Sequence, residues 1–213
     1  MTIGVFYGTV ESGKREIIYN STSFEYFPIK RDPNEFNLRY IIIVPENDRD
    51  FEDKTLRYKN KKIKTDIIFT FKEFIKLKLS EARKLRVIHV YKFHLFDIEE
   101  LKSLIYLFSN KLDNPLVGFI GLEKDYTGRR YEQLDFLLRF ADYKERLDST
   151  CSVCGRKAFF NQGLIEGSPI PFIPRQYELN VTYEPRCYNC YVSPQEVAED
   201  IIFDRTEFSF TQS

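Results

Sequence analysis

Short, continuously apolar runs alternate along this chain with stretches of helical spacing. Tyr40-Ile41-Ile42-Ile43-Val44 is apolar at every position and is ended by Pro45. A run of that length without a polar face predicts a strand buried on both sides, as in a parallel sheet. Residues 3–7, 86–91 and 116–122 read as further strands, and residues 66–70 supply another candidate. Helices are predicted over 14–19, 71–79 and 134–140. A longer one is predicted over 98–110, where Leu101, Leu104, Ile105 and Phe108 recur at helical spacing. Strand and helix signals in alternation predict an α/β fold built on a mostly parallel sheet. Residues 20–39 are polar and interrupted by Pro28 and Pro33, and residues 46–66 are so rich in charge that they are expected to be mostly loop.

The texture changes near Ser149. Cysteines, prolines and glycines appear and helical periodicity stops. We therefore expect an α/β domain over 1–148, a smaller subdomain over 149–202 and a flexible tail over 203–213.

Composition narrows the picture. The 213 residues carry 32 Lys and Arg against 32 Asp and Glu, a formal net charge of zero. That balance gives the surface as a whole no attraction for a polyanion, so strong autonomous nucleic-acid binding is not expected. The local basic stretches, 59–64 and 83–86, read as solvated faces. No apolar run approaches the roughly 20 residues needed to cross a bilayer, so no membrane role is expected. The N-terminus opens directly on an apolar strand, without the charged leader of a secretory signal.

The four cysteines form two tight pairs, Cys151-Ser-Val-Cys154 and Cys187-Tyr-Asn-Cys190. Each pair places two thiolates on one turn, and two such turns complete a tetrahedron around zinc. Four thiolates leave no open coordination position, so the zinc is expected to be structural and to clamp residues 155–186 as one long loop. Arg156 and Arg186 flank the pairs and are placed to temper their negative charge. Paired thiols without a secretory leader point to a reducing cytoplasm, the host's for a viral source.

Gly8-Thr-Val-Glu-Ser-Gly13-Lys14-Arg15 fits the GxxxxGK pattern and stands after a predicted strand and before a predicted helix. In such a loop backbone N–H groups hold phosphates and the lysine pairs with the outer ones, which makes Gly8, Ser12, Gly13, Lys14 and Arg15 the nucleotide-binding candidates. Arg15 departs from the pattern, because Ser or Thr should stand there to hold Mg²⁺. Glu11 adds a negative charge inside the loop.

With these motifs in order the chain resembles the type II thymidine kinases. The resemblance rests on Gly8 to Lys14, Val87 to Phe96, Gly121 to Tyr131, Leu137 to Asp142, Cys151 to Ala158 and Tyr183 to Cys190. It implies a RecA-like sheet with a zinc-ribbon lasso, ATP as phosphate donor and transfer of its γ-phosphoryl group to the 5′-hydroxyl of thymidine. It also implies that Leu122, Tyr126 and Tyr183 line the nucleoside pocket, and that the protein forms a homo-oligomer. The plain alternative for these three is core or loop packing.

The same resemblance exposes departures. Where the family ends a strand in Asp, for Mg²⁺, and Glu, the general base, this chain has Tyr91 and Lys92, and His94 replaces a Gln. A lysine there carries the wrong charge and, unless strongly perturbed, no lone pair at neutral pH. Glu178 and Leu179 stand where the family has paired glycines. With Arg15, these changes predict a lost Mg²⁺ site and a scaffold without catalytic residues: a pseudoenzyme binding a nucleotide or a protein partner. A divergent active kinase is the alternative, with Asp97, Glu99, Glu100 or Asp125 as a relocated acid. A zinc-ribbon subunit that meets nucleic acid only inside a larger complex is the third reading. His89 and His94 are the only histidines, and neither is read as catalytic.

Overall fold

A computed structural model describes residues 1–22, 40–46, 48, 55–58, 61–64, 67–172 and 181–195. The expectations for 23–39, for Glu178, Leu179 and Asn180, and for the tail over 203–213 lie outside the described residues. The chain divides into two compact units. The first comprises residues 1–7, 13–122 and 131–147, and the second residues 8–12, 123–130 and 148–213.

In chain order the elements are β1 (Thr2–Gly8), α1 (Lys14–Thr22), β2 (Tyr40–Val44), β3 (Thr55–Tyr58), β4 (Lys61–Lys64), β5 (Ile68–Thr70), α2 (Phe71–Phe74), α3 (Leu79–Ala82), β6 (Val87–Tyr91), α4 (Ile98–Lys111), β7 (Leu116–Leu122), α5 (Glu132–Leu137), β8 (Tyr143–Leu147), β9 (Phe160–Ile165), β10 (Ser168–Pro169) and β11 (Thr182–Arg186). The main sheet has six strands in the order β5-β2-β6-β7-β1-β8, and β5, β2, β6 and β7 pair in parallel.

β2 and β6 are buried at every position, as their unbroken apolar runs require. Alternation sends their side chains to two cores. Ile41, Ile43, Ile88 and Val90 join Leu101, Leu104 and Phe108 of α4 on one face. Tyr40, Ile42, Val44, Val87 and Tyr91 join Ile18 of α1 on the other. Gly121 is required by packing: a Cβ there would stand 2.7 Å from the Phe93 ring.

Three local expectations change. The helix predicted over 71–79 is a single turn, α2, ending at Phe74, and a second turn, α3, begins at Leu79. α2 begins with a capping box at Thr70 and Glu73, and its apolar spacing does not continue through Lys76, Leu77 and Lys78. α5 ends at Leu137, so Phe140 lies past the helix. The charged segment 46–66 contains the antiparallel hairpin β3–β4.

The second unit carries a three-stranded antiparallel sheet in the order β10-β9-β11. Tyr183 stands opposite Gly163 in the register. The missing side chain at Gly163 is filled by its neighbours, since a Cβ there would meet Ile170 Cδ1 at 2.9 Å and Tyr126 Cδ2 at 3.2 Å.

Candidate functional site

The cysteines meet as their spacing requires. The Sγ atoms of Cys151, Cys154, Cys187 and Cys190 all lie within 4.8 Å of one another. Tetrahedral zinc with bonds of about 2.3 Å needs sulfurs roughly 3.8 Å apart, and Cys154 and Cys187 stand 3.6 Å apart. The donor set therefore fits a closed structural zinc site. Gly155 takes a positive φ of 71° at the first knuckle, where a side chain would be strained. Arg156 Nε–H donates to Cys154 Sγ at 3.4 Å, and this contact holds the Cys154 thiol down near 6. The Arg186 guanidinium pairs with Glu184 at 2.6 Å.

The first half of the glycine loop is tied down within the second unit. Asn161, 1 % exposed, accepts from the Val10 N–H at 2.8 Å through Oδ1 and donates to the Lys124 carbonyl at 2.6 Å through Nδ2. The Thr9 and Ser149 hydroxyls hydrogen-bond each other, and the Gly8 carbonyl accepts from the Glu123 N–H. The Val10 N–H is thus taken by protein, while Gly13, at φ 81°, gives the loop its turn into α1. Ser12 is buried. Sequence reasoning missed Asn161, whose signal lies only in tertiary contact.

Lys14 and Arg15 open α1 in the first unit. Lys14 is pulled down from 10.5 to about 7, first by burial and then by the charge of Arg15. Arg15 itself is exposed.

At the end of β6 stand Tyr91 and Lys92. Tyr91 is buried in the apolar core beside Ile18 and Ile42 and offers no metal ligand of the family's kind. Lys92 follows in the left-handed region, φ 57° and ψ 46°, and leads into a 3-10 turn over Phe93–Leu95. A left-handed conformation at a side-chain-bearing residue costs about 1–3 kcal/mol and persists only where the surroundings impose it. Lys92 Nζ pairs with Asp48 Oδ1 at 2.6 Å, and the Asp48 side chain is 1 % exposed. Asp48 is a residue the sequence reading did not single out. It lies just beyond β2, the parallel neighbour of β6, so the two strand ends bring the charges together. His94 Nδ1 accepts from the Leu122 N–H at 3.2 Å, which places the imidazole proton on Nε2. Burial, then the charges of Lys14 and Lys92, press His94 down to about 3.

Magnesium does not fit this set. It requires oxygen ligands in octahedral array, and its expected positions hold the Arg15 guanidinium and the buried Tyr91, while Lys92, at the expected base position, is paired with Asp48. The other acids considered are occupied as well. Glu100 accepts from the Asp97 N–H at the start of α4, and Glu99 pairs with Lys102. Asp125 Oδ1 accepts from the Thr127 N–H and hydroxyl and from the Arg129 N–H, closing a turn.

The residues named for a nucleoside differ in exposure. Tyr126 is 4 % exposed and packs beneath Gly163, whereas Tyr183 is 37 % exposed, its phenol pushed up by burial and then by Tyr126 and Asp125. Both belong to the second unit, and Leu122 ends β7 in the first. His89 is held by the Tyr40 hydroxyl at 3.0 Å and pressed to about 4 by burial, a structural histidine.

A parallel α/β sheet, a GxxxxGK loop after its first strand and a four-cysteine module on a small antiparallel sheet define a P-loop protein with a four-cysteine appendage. The family model described as thymidine kinase matches residues 1–191, and the chain belongs to the thymidine kinase family. Among its relatives, a thymidine kinase of Mycoplasma capricolum subsp. capricolum is 27% identical over 124 residues, 56% of this chain and 56% of the relative. A thymidine kinase of Halobacterium salinarum is 33% identical over 86 residues, 39% of this chain and 44% of the relative. These alignments span about half the length of the curated relatives or less. Among the described residues no helix is long and apolar enough to cross a membrane.

Proposed function

We propose that this protein is a divergent nucleoside kinase of the thymidine kinase family, moving the γ-phosphoryl group of ATP to the 5′-hydroxyl of a thymidine-class nucleoside. The observation that carries the reading is the family match over 1–191, which takes in the phosphate loop, the altered end of β6 and all four cysteines. Cys151, Cys154, Cys187 and Cys190 hold a structural zinc that shapes the second unit. Tyr183, with Tyr126 beneath it, is assigned to the nucleoside, and residues 8–15 to the phosphates.

The base is Asp48, the carboxylate held at the end of β6 by Lys92. The 5′-oxygen attacks the γ-phosphorus, its proton passes to the Asp48 carboxylate, and the bond from the γ-phosphorus to the bridging oxygen breaks to release ADP. Lys14 and Arg15 neutralise charge on the transferring group.

A second reading, a pseudoenzyme that binds nucleotide without transfer, draws on the closed Lys92–Asp48 pair and on the buried Tyr91. Assay of thymidine monophosphate formation from ATP by wild type, Lys14→Ala and Asp48→Asn separates the two. The kinase reading expects turnover in wild type, and a loss of about 10²-fold or more in Asp48→Asn, the usual worth of a general base. No product from wild type sinks it and leaves the pseudoenzyme.

A further inference from the structure

The four sulfurs share one centre but differ in what can reach them. Cys151 and Cys187 are buried and Cys190 is half-buried, whereas Cys154 is exposed. Val153 beside it, and Tyr188 on the other knuckle, are exposed as well, so both turns face solvent. Arg156 Nε–H donates to Cys154 Sγ at 3.4 Å and sets a positive charge beside the exposed sulfur. Backbone bonds hold the two knuckles together independently of any metal. The Ser152 N–H donates to the Pro185 carbonyl at 3.0 Å, and the Phe159 N–H donates to the Arg186 carbonyl at 2.8 Å. Across this junction Cys154 Sγ and Cys187 Sγ stand 3.6 Å apart. A disulfide bond is about 2.05 Å long, so an approach of roughly 1.6 Å would join them.

We propose that Cys154 is an oxidation site, and that a peroxide converts the thiolate clamp into a Cys154–Cys187 disulfide. The inference rests on the reading of the four cysteines as a structural zinc site and adds its modification. The Cys154 thiolate attacks one peroxide oxygen, the O–O bond breaks, hydroxide leaves and Cys154 becomes a sulfenic acid. The Cys187 thiolate then attacks the Cys154 sulfur. An S–S bond forms, the S–O bond breaks and a second hydroxide leaves. The two thiolates lose two electrons in all and the peroxide gains them. Zinc has no redox chemistry of its own, and two remaining thiolates are too few for a closed site, so the metal departs. The new bond closes the same segment, 155–186, that the metal clamped, because Cys154 and Cys187 flank it. A bond within either CxxC pair would leave that segment open. Oxidation thus exchanges one clamp for another.

The test uses the full chain with its zinc content measured first. Hydrogen peroxide is added, released zinc is followed with a chromogenic chelator, and disulfides are mapped by mass spectrometry of unreduced peptides. Zinc is expected to leave in step with a peptide cross-linked between Cys154 and Cys187, and dithiothreitol with added zinc should reverse both changes. Hydrogen exchange across β9 and β11 should stay slow in the oxidised chain and become fast when a chelator removes zinc without oxidant. Substoichiometric N-ethylmaleimide, given before peroxide, should label Cys154 ahead of the other three and block the cross-link. Bridges confined to Cys151–Cys154 or Cys187–Cys190, zinc release without a bridge, labelling that begins at another cysteine, or lost exchange protection on oxidation would each overturn the inference and leave the zinc reading standing. A chain that holds no zinc before peroxide is added overturns both.

Discussion

The cysteine module and the end of β6 are both metal-related regions of one family fold, and they have fared differently. At the module every ligand is present, the four Sγ atoms gather within 4.8 Å, and Arg156 donates to one of them. At the end of β6, Tyr91 lies in the apolar core and Lys92 pairs with Asp48. A structural metal is bound up with folding, so loss of one ligand dismantles the unit. A catalytic metal contributes to a reaction and little to the fold, so its ligands can be exchanged while the sheet persists. The difference locates where this chain was free to change.

The largest expected effect breaks the first half of that comparison. Cys187→Ala, or removal of zinc by a chelator, forfeits folding free energy of about 10 kcal/mol, the low end for structural zinc. Hydrogen exchange should then lose protection across β9, β10 and β11, while β2 and β6 stay protected. Uniform loss over both units would mean that the module is not a separate folding element.

Next comes the Lys92–Asp48 pair. Lys92→Ala removes the 2.6 Å ion pair from the buried Asp48 carboxylate and should cost about 3–5 kcal/mol in denaturant unfolding. Lys92→Ala with Asp48→Asn should recover much of that loss. Additive effects in this double-mutant cycle would show that the pair is not coupled.

The two histidines set an acid limit. Both have native values below the ordinary 6.5, at about 4 for His89 and about 3 for His94. As pH falls below 6.5 the unfolded chain takes up protons that the native chain refuses. Stability therefore drops, with a slope approaching about 1.4 kcal/mol per pH unit for each histidine. The contribution is fully present above 6.5 and is lost through the interval from 6.5 to 4, continuing toward 3 for His94. His89→Phe should flatten the first part of that slope in urea titrations run from pH 7 to pH 4. The smallest effect is a control on the surface. Lys157 and Asp148 pair at 2.7 Å but are each more than half exposed, and Asp148→Asn should change stability by less than about 1 kcal/mol.

The contrast also explains what could be read from the sequence. The cysteine cluster was legible because each ligand pair is local and only two pairs had to meet. β2, β6 and β7 were legible because central parallel strands are apolar on both faces. The departures at Arg15, Tyr91 and Lys92 were visible by position. Their consequence was not, since Asp48 reaches Lys92 through strand adjacency rather than through any spacing in the chain. Asn161 was hidden for the same reason: it sits on β9 and holds Val10 across about 150 residues of chain. The acids that sequence reasoning did offer, Asp97, Glu99, Glu100 and Asp125, are occupied by local caps, pairs and turns. The helix expected over 71–79 ends at Phe74, its apolar spacing lapsing at Lys78, and α3 begins only at Leu79.

The most direct test of the contrast between a cysteine set that fits zinc and a β6 end that does not fit magnesium uses Mn²⁺ as a spin probe for the nucleotide's cation. Protein is added to Mn²⁺–ATP and the solution is followed by electron paramagnetic resonance. The account predicts that no protein-bound Mn²⁺ signal develops with successive additions. A broadened signal that stays with the protein-bound nucleotide would show the cation held at the site, and would contradict it.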